Sequence, residues 1–242
     1  MDFDHKRTAL ITGASSGIGK ATACAFAQAG INVALVSRSQ DKLEAVATTV
    51  AKDTGVEVKT YLIDLADVAQ VKAKMEAIAQ ELGYIDILVN NAGMAYTGSL
   101  SEIPLADWQR VINVNLTSVF QCILAVLPGM RQRHQGTIIN IASIAAKQAF
   151  AGWGVYCVSK AALLSLSQTL AQEERANGIR VTTIFPGAVN TELWDTDTVK
   201  ANFDRSQMLT PEIVAQSILH TALLPAEAVI EELTLMPSAG TL

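Results

Sequence analysis

Tyr156 and Lys160 stand four residues apart in a stretch with helical spacing, so they share one helix face. An ordinary tyrosine titrates near pH ~10 and is a poor acid–base group at neutrality. An ammonium beside the phenol favours phenolate and brings that pKa toward the working range. Ser143 ends an apolar run thirteen positions before Tyr156. A loop of that length can return from a strand end to a helix start and set the two hydroxyls side by side. Open α/β sheets bind ligands at the carboxyl ends of their strands. The three residues therefore point to proton transfer at a substrate oxygen.

A second group sits near the start of the chain. Thr12-Gly13-Ala14-Ser15-Ser16-Gly17-Ile18-Gly19 lies between an apolar run and a helical stretch. Gly13 permits a tight turn, Gly17 lets backbone approach a pyrophosphate, and Gly19 lets the helix pack against the sheet; the free N–H groups of the helix face the phosphates. The spacing is Gly-x-x-x-Gly-x-Gly, with the strand before it and the helix after it that a dinucleotide site needs. At the end of the next apolar run, Val36-Ser37-Arg38-Ser39 has no carboxylate to receive a ribose 2′-hydroxyl. Arg38 would pair with a 2′-phosphate instead, with Ser37 and Ser16 adding hydroxyls. The expected cofactor is NADP(H).

The elements that must position these groups alternate. Apolar runs at about 8–12, 32–37, 57–63, 86–90, 136–142, 179–185 and 231–236 read as strands, most of them apolar throughout, as parallel strands buried on both faces are. Helical spacing fills about 18–30, 40–53, 67–82, 105–131, 154–177 and 210–224. Gly30, Gly55, Gly83 and Gly178 punctuate helix ends, and Thr210-Pro211 reads as a cap followed by proline at the first helical position. The pattern predicts an α/β, Rossmann-type doubly wound parallel sheet of about seven strands with helices on both faces. The rhythm never breaks, so 1–242 reads as one domain, with a cofactor half at roughly 1–142 and a catalytic and substrate half at roughly 143–242.

Composition narrows the partners. The 242 residues are 50% hydrophobic and 17% charged, which excludes a disordered chain. Mean hydropathy is +0.29, yet charge, glycine or amide residues interrupt each apolar stretch before the roughly 20 residues of a membrane span. The opening MDFDHKRTALITGAS has no apolar core, so no secretory leader is expected. A net charge of −5 argues against nucleic acid. Cys24, Cys122 and Cys157 are odd in number and lack CxxC spacing, which fits reduced thiols in the cytoplasm. His5, His134 and His220 are isolated, so no metal is expected.

Taken in order, TGASSGIG at 12–19, Asp64-Leu65, NNAG at 90–93, Asn115, Ser143, YCVSK at 156–160 and PGAVNT at 186–191 resemble the short-chain dehydrogenase/reductase superfamily, in its single-domain branch of about 250 residues. The resemblance spans nearly the whole chain. It implies that Asp64 and Leu65 meet the adenine and that Asn91, Ala92 and Gly93 cap the fourth strand beside the adenine ribose. Ser15 and Ile18 fall within the nucleotide turn. Asn115 would bend its helix and hold a water that links to Lys160. Ser143 would bind the substrate oxygen, with Tyr156 as general acid or base and Lys160 also gripping the nicotinamide ribose. Pro186, Gly187, Val189 and Thr191 would hold the carboxamide.

By the same resemblance, residues 193–209 form a lid carrying Leu193, Trp194, Phe203, Met208 and Leu209. Met94, Tyr96, Gln148, Phe150 and Trp153 would flank the pocket, and this lining implies an apolar carbonyl or alcohol substrate. The end of the chain, Glu231 to Leu242, is unlike the short glycine-rich tail of three-oxoacyl reductases. The expected activity is an NADP-dependent carbonyl reductase or alcohol dehydrogenase. A 3-oxoacyl-thioester reductase and a non-catalytic NADP(H) sensor are the alternatives; a pure sensor has no need of the Ser143–Tyr156–Lys160–Asn115 set. Few charges fall on any face of 154–177 before Glu173, which with the resemblance implies a homotetramer or homodimer built on that helix and 105–131.

Overall fold

The computed structural model describes residues 6–201 and 203–240; His5, position 202 of the lid and the last two residues of the tail lie outside them. The alternation is β1 (Thr8–Thr12), α1 (Gly17–Gln28), β2 (Asn32–Ser37), α2 (Gln40–Thr54), β3 (Val58–Leu62), α3 (Val68–Leu82), β4 (Ile87–Asn90), α4 (Leu105–Ile112), α5 (Ser118–Arg133), β5 (Gly136–Ile141), α6 (Gly154–Glu174), β6 (Ile179–Pro186), α7 (Pro211–Leu223) and β7 (Glu232–Leu235). The strands form one parallel sheet in the order β3-β2-β1-β4-β5-β6-β7. The order reverses between β1 and β4, and ligands of such sheets bind at that switch point.

Alternate side chains of each strand feed opposite layers. Leu10 of β1 packs into a core with Met75 of α3, Ile123 of α5 and Leu163 of α6. Its neighbours Ala9 and Ile11 join Phe26 of α1, Leu43 of α2 and Ile218 of α7 on the other face. Buried on both sides, the central strands must be apolar throughout, which is the pattern read from their sequence.

The stretch expected as one helix from 105 to 131 is α4, a π-helical turn at Asn113–Thr117, then α5. Such turns carry one extra residue and often mark functional positions. The absence of any run of spanning length also needs correction. Across the π turn, Leu105–Arg133 is a continuous helical run long and apolar enough to cross a membrane, but half of its apolar window is buried in the fold. It packs on α3, β4 and β5 as a core helix. The other helix ends agree with expectation. Gly55 and Gly178 end theirs at φ +67° and +70°, and Thr210 accepts the Ile213 N–H at the start of α7.

Candidate active site

A continuous cleft of about 810 Å³ runs over the carboxyl ends of the strands, from Arg38 and Asp64 at one end to Trp153, Trp194 and Phe203 at the other. Its nucleotide wall is the turn between β1 and α1. Gly13 and Gly17 take φ +66° and +51°, where a side chain is strained. A Cβ on Gly13 would lie 2.8 Å from the Ala92 Cα, and one on Gly17 would lie 3.1 Å from Thr191 Cγ2 on the opposite wall. Gly19 works differently from expectation. Its added Cβ would fall 2.2 Å from the Gly13 carbonyl oxygen and 2.5 Å from Asn91 Nδ2. It is therefore glycine so that α1 can pack against its own preceding turn rather than against the sheet, and it does not line the cleft. Ser16, the N-cap of α1, makes no side-chain capping bond, and no acidic residue stands in the first turn. The helix thus presents N–H groups and its positive end to the cleft.

Thr12 ties this turn to the next strand. Its Oγ1 accepts from the N–H groups of Asn91 and Ala92, each at 3.1 Å. Asn91 Nδ2 donates to the carbonyls of Thr12 at 3.0 Å and Gly13 at 3.2 Å. Ser37 donates to Ser15 Oγ at 2.8 Å, and Arg38 is exposed at the rim. Asp64 also lines the rim; its Oδ1 accepts from Ala66 N at 2.9 Å, while the N-cap of α3 is Asp67. Asp64 therefore closes a local turn rather than capping the helix.

The chemical wall is α6 facing the end of β5. Tyr156, Lys160 and Ser143 line the cleft together. Ser143 stands close enough to the Tyr156 phenol to pull its pKa down, while its Oγ accepts from Ala145 N at 3.1 Å. Burial pushes the phenol up to about 12, and the neighbouring Ser143 hydroxyl opposes that shift without cancelling it. Lys160 is 5% exposed, donates to the Ile141 carbonyl at 2.8 Å, and lies 5.8 Å from the centre of the Tyr156 ring. Burial lowers it to about 8. The expected lowering of the phenol by a neighbouring ammonium is thus reversed. Desolvation dominates both groups, and the ammonium is turned to a backbone carbonyl.

Asn115 sits in the π turn, fully buried behind the cleft. Its Oδ1 accepts from Met94 N and its Nδ2 donates to Met94 O, both at 2.8 Å, with a further bond to Ser159 Oγ at 2.9 Å. Its amide thus satisfies the loop after β4 and α6 rather than reaching Lys160. A Cβ on Gly93 would lie 3.4 Å from Asn115 Oδ1 and 3.5 Å from Lys160 Nζ, which brings these three residues together.

The far end is aromatic. Trp153 meets Tyr156 and Trp194 edge-on, both at 5.8 Å between ring centres, and Trp194 meets Phe203 at 5.3 Å. Trp194 Nε1 donates to the Val189 carbonyl at 2.8 Å, fixing the indole. The segment expected as a lid is tied to the loop after β4: Thr198 Oγ1 donates to Ala95 O at 2.7 Å, and Thr97 N donates to Thr198 O at 2.9 Å. Met94, Phe150, Pro186, Gly187, Val189, Thr191 and Leu193 also line the cleft. Gln148 does not; it is exposed on the turn after β5, so its expected contact with substrate is corrected. Tyr96, Met208 and Leu209 also lie outside the lining, the last two buried. Sequence reasoning missed Lys42, Arg110, Val114, Glu192 and Met236, all of which line the cleft. Only proximity in the folded chain marks them.

The family model for short chain dehydrogenase matches residues 7–201. D-threitol dehydrogenase of Mycolicibacterium smegmatis is 37% identical over 232 residues, covering 92% of this chain and 89% of that protein. Glycine betaine reductase ATRR of Emericella nidulans is 35% identical over 96% of this chain, which spans only 19% of that protein. Among solved structures, an alcohol dehydrogenase from the archaeon Thermococcus sibiricus complexed with 5-hydroxy-NADP superposes with a TM-score of 0.88 at 29% identity, covering 97% of both chains.

Proposed function

Because the chain belongs to the short-chain dehydrogenase family, we propose that it is an NADP(H)-dependent oxidoreductase acting on the carbonyl or alcohol of an apolar small molecule. The observation that carries the reading is that Ser143, Tyr156 and Lys160 line one cleft together, where the glycine turn meets the aromatic end. Three features support a dinucleotide as cofactor. They are the uncapped first turn of α1, the glycine positions where a Cβ would collide or be strained, and a cleft lined by Arg38 with no carboxylate beside it in sequence. The solved relative that holds an NADP derivative supports the 2′-phosphate form. Gly13, Ser15, Ser16, Gly17 and Ile18 would hold the phosphates, Arg38 the 2′-phosphate, Asp64 and Leu65 the adenine, and Val189 and Thr191 the carboxamide. When bound, the nicotinamide supplies or accepts the hydride.

The protein's own groups handle the oxygen. Ser143 donates to the substrate oxygen and orients it. Tyr156 gives that oxygen a proton during reduction and takes it back during oxidation. With its pKa raised by burial, the phenol is fully protonated at neutral pH, the state reduction requires. Lys160, once a ligand draws its ammonium from the Ile141 carbonyl, favours the phenolate left behind. Trp153, Trp194 and Phe203 exclude water and favour an apolar substrate. The three free thiols suit a reducing cytoplasm.

Purified protein tested against a panel of aromatic and aliphatic carbonyls should consume NADPH, followed by its absorbance. Nucleotide binding without turnover on any carbonyl or alcohol would overturn the enzyme reading in favour of a sensor. For assembly, a dimer or tetramer through α5 and α6 is proposed, supported by exposed Phe120 and Val158 on those helices. Light scattering at micromolar concentration should give two or four chain masses; one chain mass would reject it.

A further inference from the structure

An ion pair crosses the mouth of the cleft. Lys42, in the first turn of α2, donates to Glu192 Oε2 at 2.6 Å across 150 residues of chain. Lys42 belongs to the nucleotide wall, four positions after Arg38. Glu192 follows Thr191 on the opposite wall, where the segment carrying Trp194 begins. Both side chains are more than half exposed and both line the cleft. Exposed pairs of this kind contribute little to stability, so the fold has little need of this one. Its location is what informs.

Arg38 also lines the cleft, exposed, and among the described residues no carboxylate forms an ion pair with it. Ser39, the N-cap of α2, makes no side-chain capping bond. An anion arriving at Arg38 thus meets an unpaired guanidinium, and one helical turn further on a lysine already committed to a carboxylate. A phosphate monoester carries up to two negative charges and three strong acceptor oxygens, against one charge on Glu192. It can therefore take the ammonium from the carboxylate. We propose that Lys42 is a second cation for the adenosine 2′-phosphate, and that Glu192 is its exchangeable partner, released when the phosphate engages Lys42. The inference rests on the NADP(H) reading above. It links the phosphate to the other end of the cleft, because Glu192 opens the turn that carries Trp194.

Adenosine 2′,5′-bisphosphate and 5′-AMP differ only by the 2′-phosphate, so calorimetric titration with both isolates the effect. Lys42→Met should weaken the bisphosphate about five- to tenfold and leave AMP unchanged, AMP serving as the check that the site is folded. Glu192→Gln should tighten the bisphosphate about two- to fivefold by freeing Lys42, again without moving AMP. In the Lys42→Met background, Glu192→Gln should have no effect. Equal tightening in both backgrounds would mean a general charge effect and would overturn the exchange. An Arg38→Met variant separates the two ideas. If it weakens the bisphosphate while the Lys42 and Glu192 variants do not, the NADP(H) reading stands and the exchange is rejected. If wild type binds both nucleotides alike and Arg38→Met changes nothing, the NADP(H) reading fails and takes the exchange with it.

Discussion

At the nucleotide end of the cleft, the critical positions are those where nothing protrudes. A Cβ on Gly19 would sit 2.2 Å from a backbone oxygen, and one on Gly13 2.8 Å from a Cα, so the turn is built by leaving atoms out. At the chemical end the critical positions are side chains taken out of water. Asn115 is fully buried with its amide satisfied, Lys160 is 5% exposed on a backbone carbonyl, and burial raises the Tyr156 phenol. The first end offers backbone and helix polarity; the second offers desolvated, titratable groups. The first should be damaged by adding a methyl group, the second by removing an oxygen or a charge.

The largest effect should come from Tyr156→Phe, which removes one oxygen and keeps the ring against Trp153. Turnover should fall ~10²–10⁴-fold, while nucleotide affinity by titration stays within about twofold. An equal fall in both would break the separation between the two ends. Next comes Gly19→Ala, where backbone must move to make room. Overpacking of this kind costs about 1–3 kcal/mol, and nucleotide affinity should fall at least about tenfold. Gly30→Ala is its control. At φ +79° but with open space around it, it should cost about 1 kcal/mol of stability and leave affinity alone. Thermal unfolding and nucleotide titration on both variants decide the point. Arg38→Asp should then shift the preference between NADPH and NADH by about tenfold or more toward NADH, with no change in maximal turnover at saturating cofactor.

The smallest effect sharpens the chemical end. Burial brings Lys160 from 10.5 to about 8, so between those pH values the unfolded chain binds more protons than the native one. Native stability should therefore rise as pH increases from about 8 to 10. Below that window both states are protonated and the cost of burying the ammonium remains in full. Lys160→Met should abolish the rise and, at pH 7, stabilise the protein by about 1–2 kcal/mol, a figure discounted for the lost bond to Ile141. Urea unfolding at pH 7 and pH 10 measures it. A slope that persists in the variant would assign the titration to another group.

Much of this was legible before the structure. β1 and β2 fall at the expected residues, because strands buried on both faces must be apolar at every position and few other arrangements demand that. Ser143, Tyr156 and Lys160 were found together because a strand end and one helix turn place them with little freedom. Gln148 was misplaced because the turn after β5 obeys no period, so its direction is set by packing alone. The π turn at Asn113–Thr117 was equally hidden: its residues read as ordinary helix, and the widening shows only when Asn115 bonds the Met94 backbone from another element.

What the amino-acid sequence determined by itself is whatever depends on short-range spacing: the alternation of elements, the glycine turn, the four-residue step from Tyr156 to Lys160. These follow from backbone geometry that neighbouring residues impose on one another. Protonation was decided only by the tertiary structure. Whether Lys160 lowers the Tyr156 pKa depends on how much water each group keeps and where the ammonium points, and both are properties of the packed interior. The Lys42–Glu192 pair belongs to the same class. Nothing local joins two residues 150 positions apart; the switch of strand order between β1 and β4 opens the cleft whose two walls they bridge.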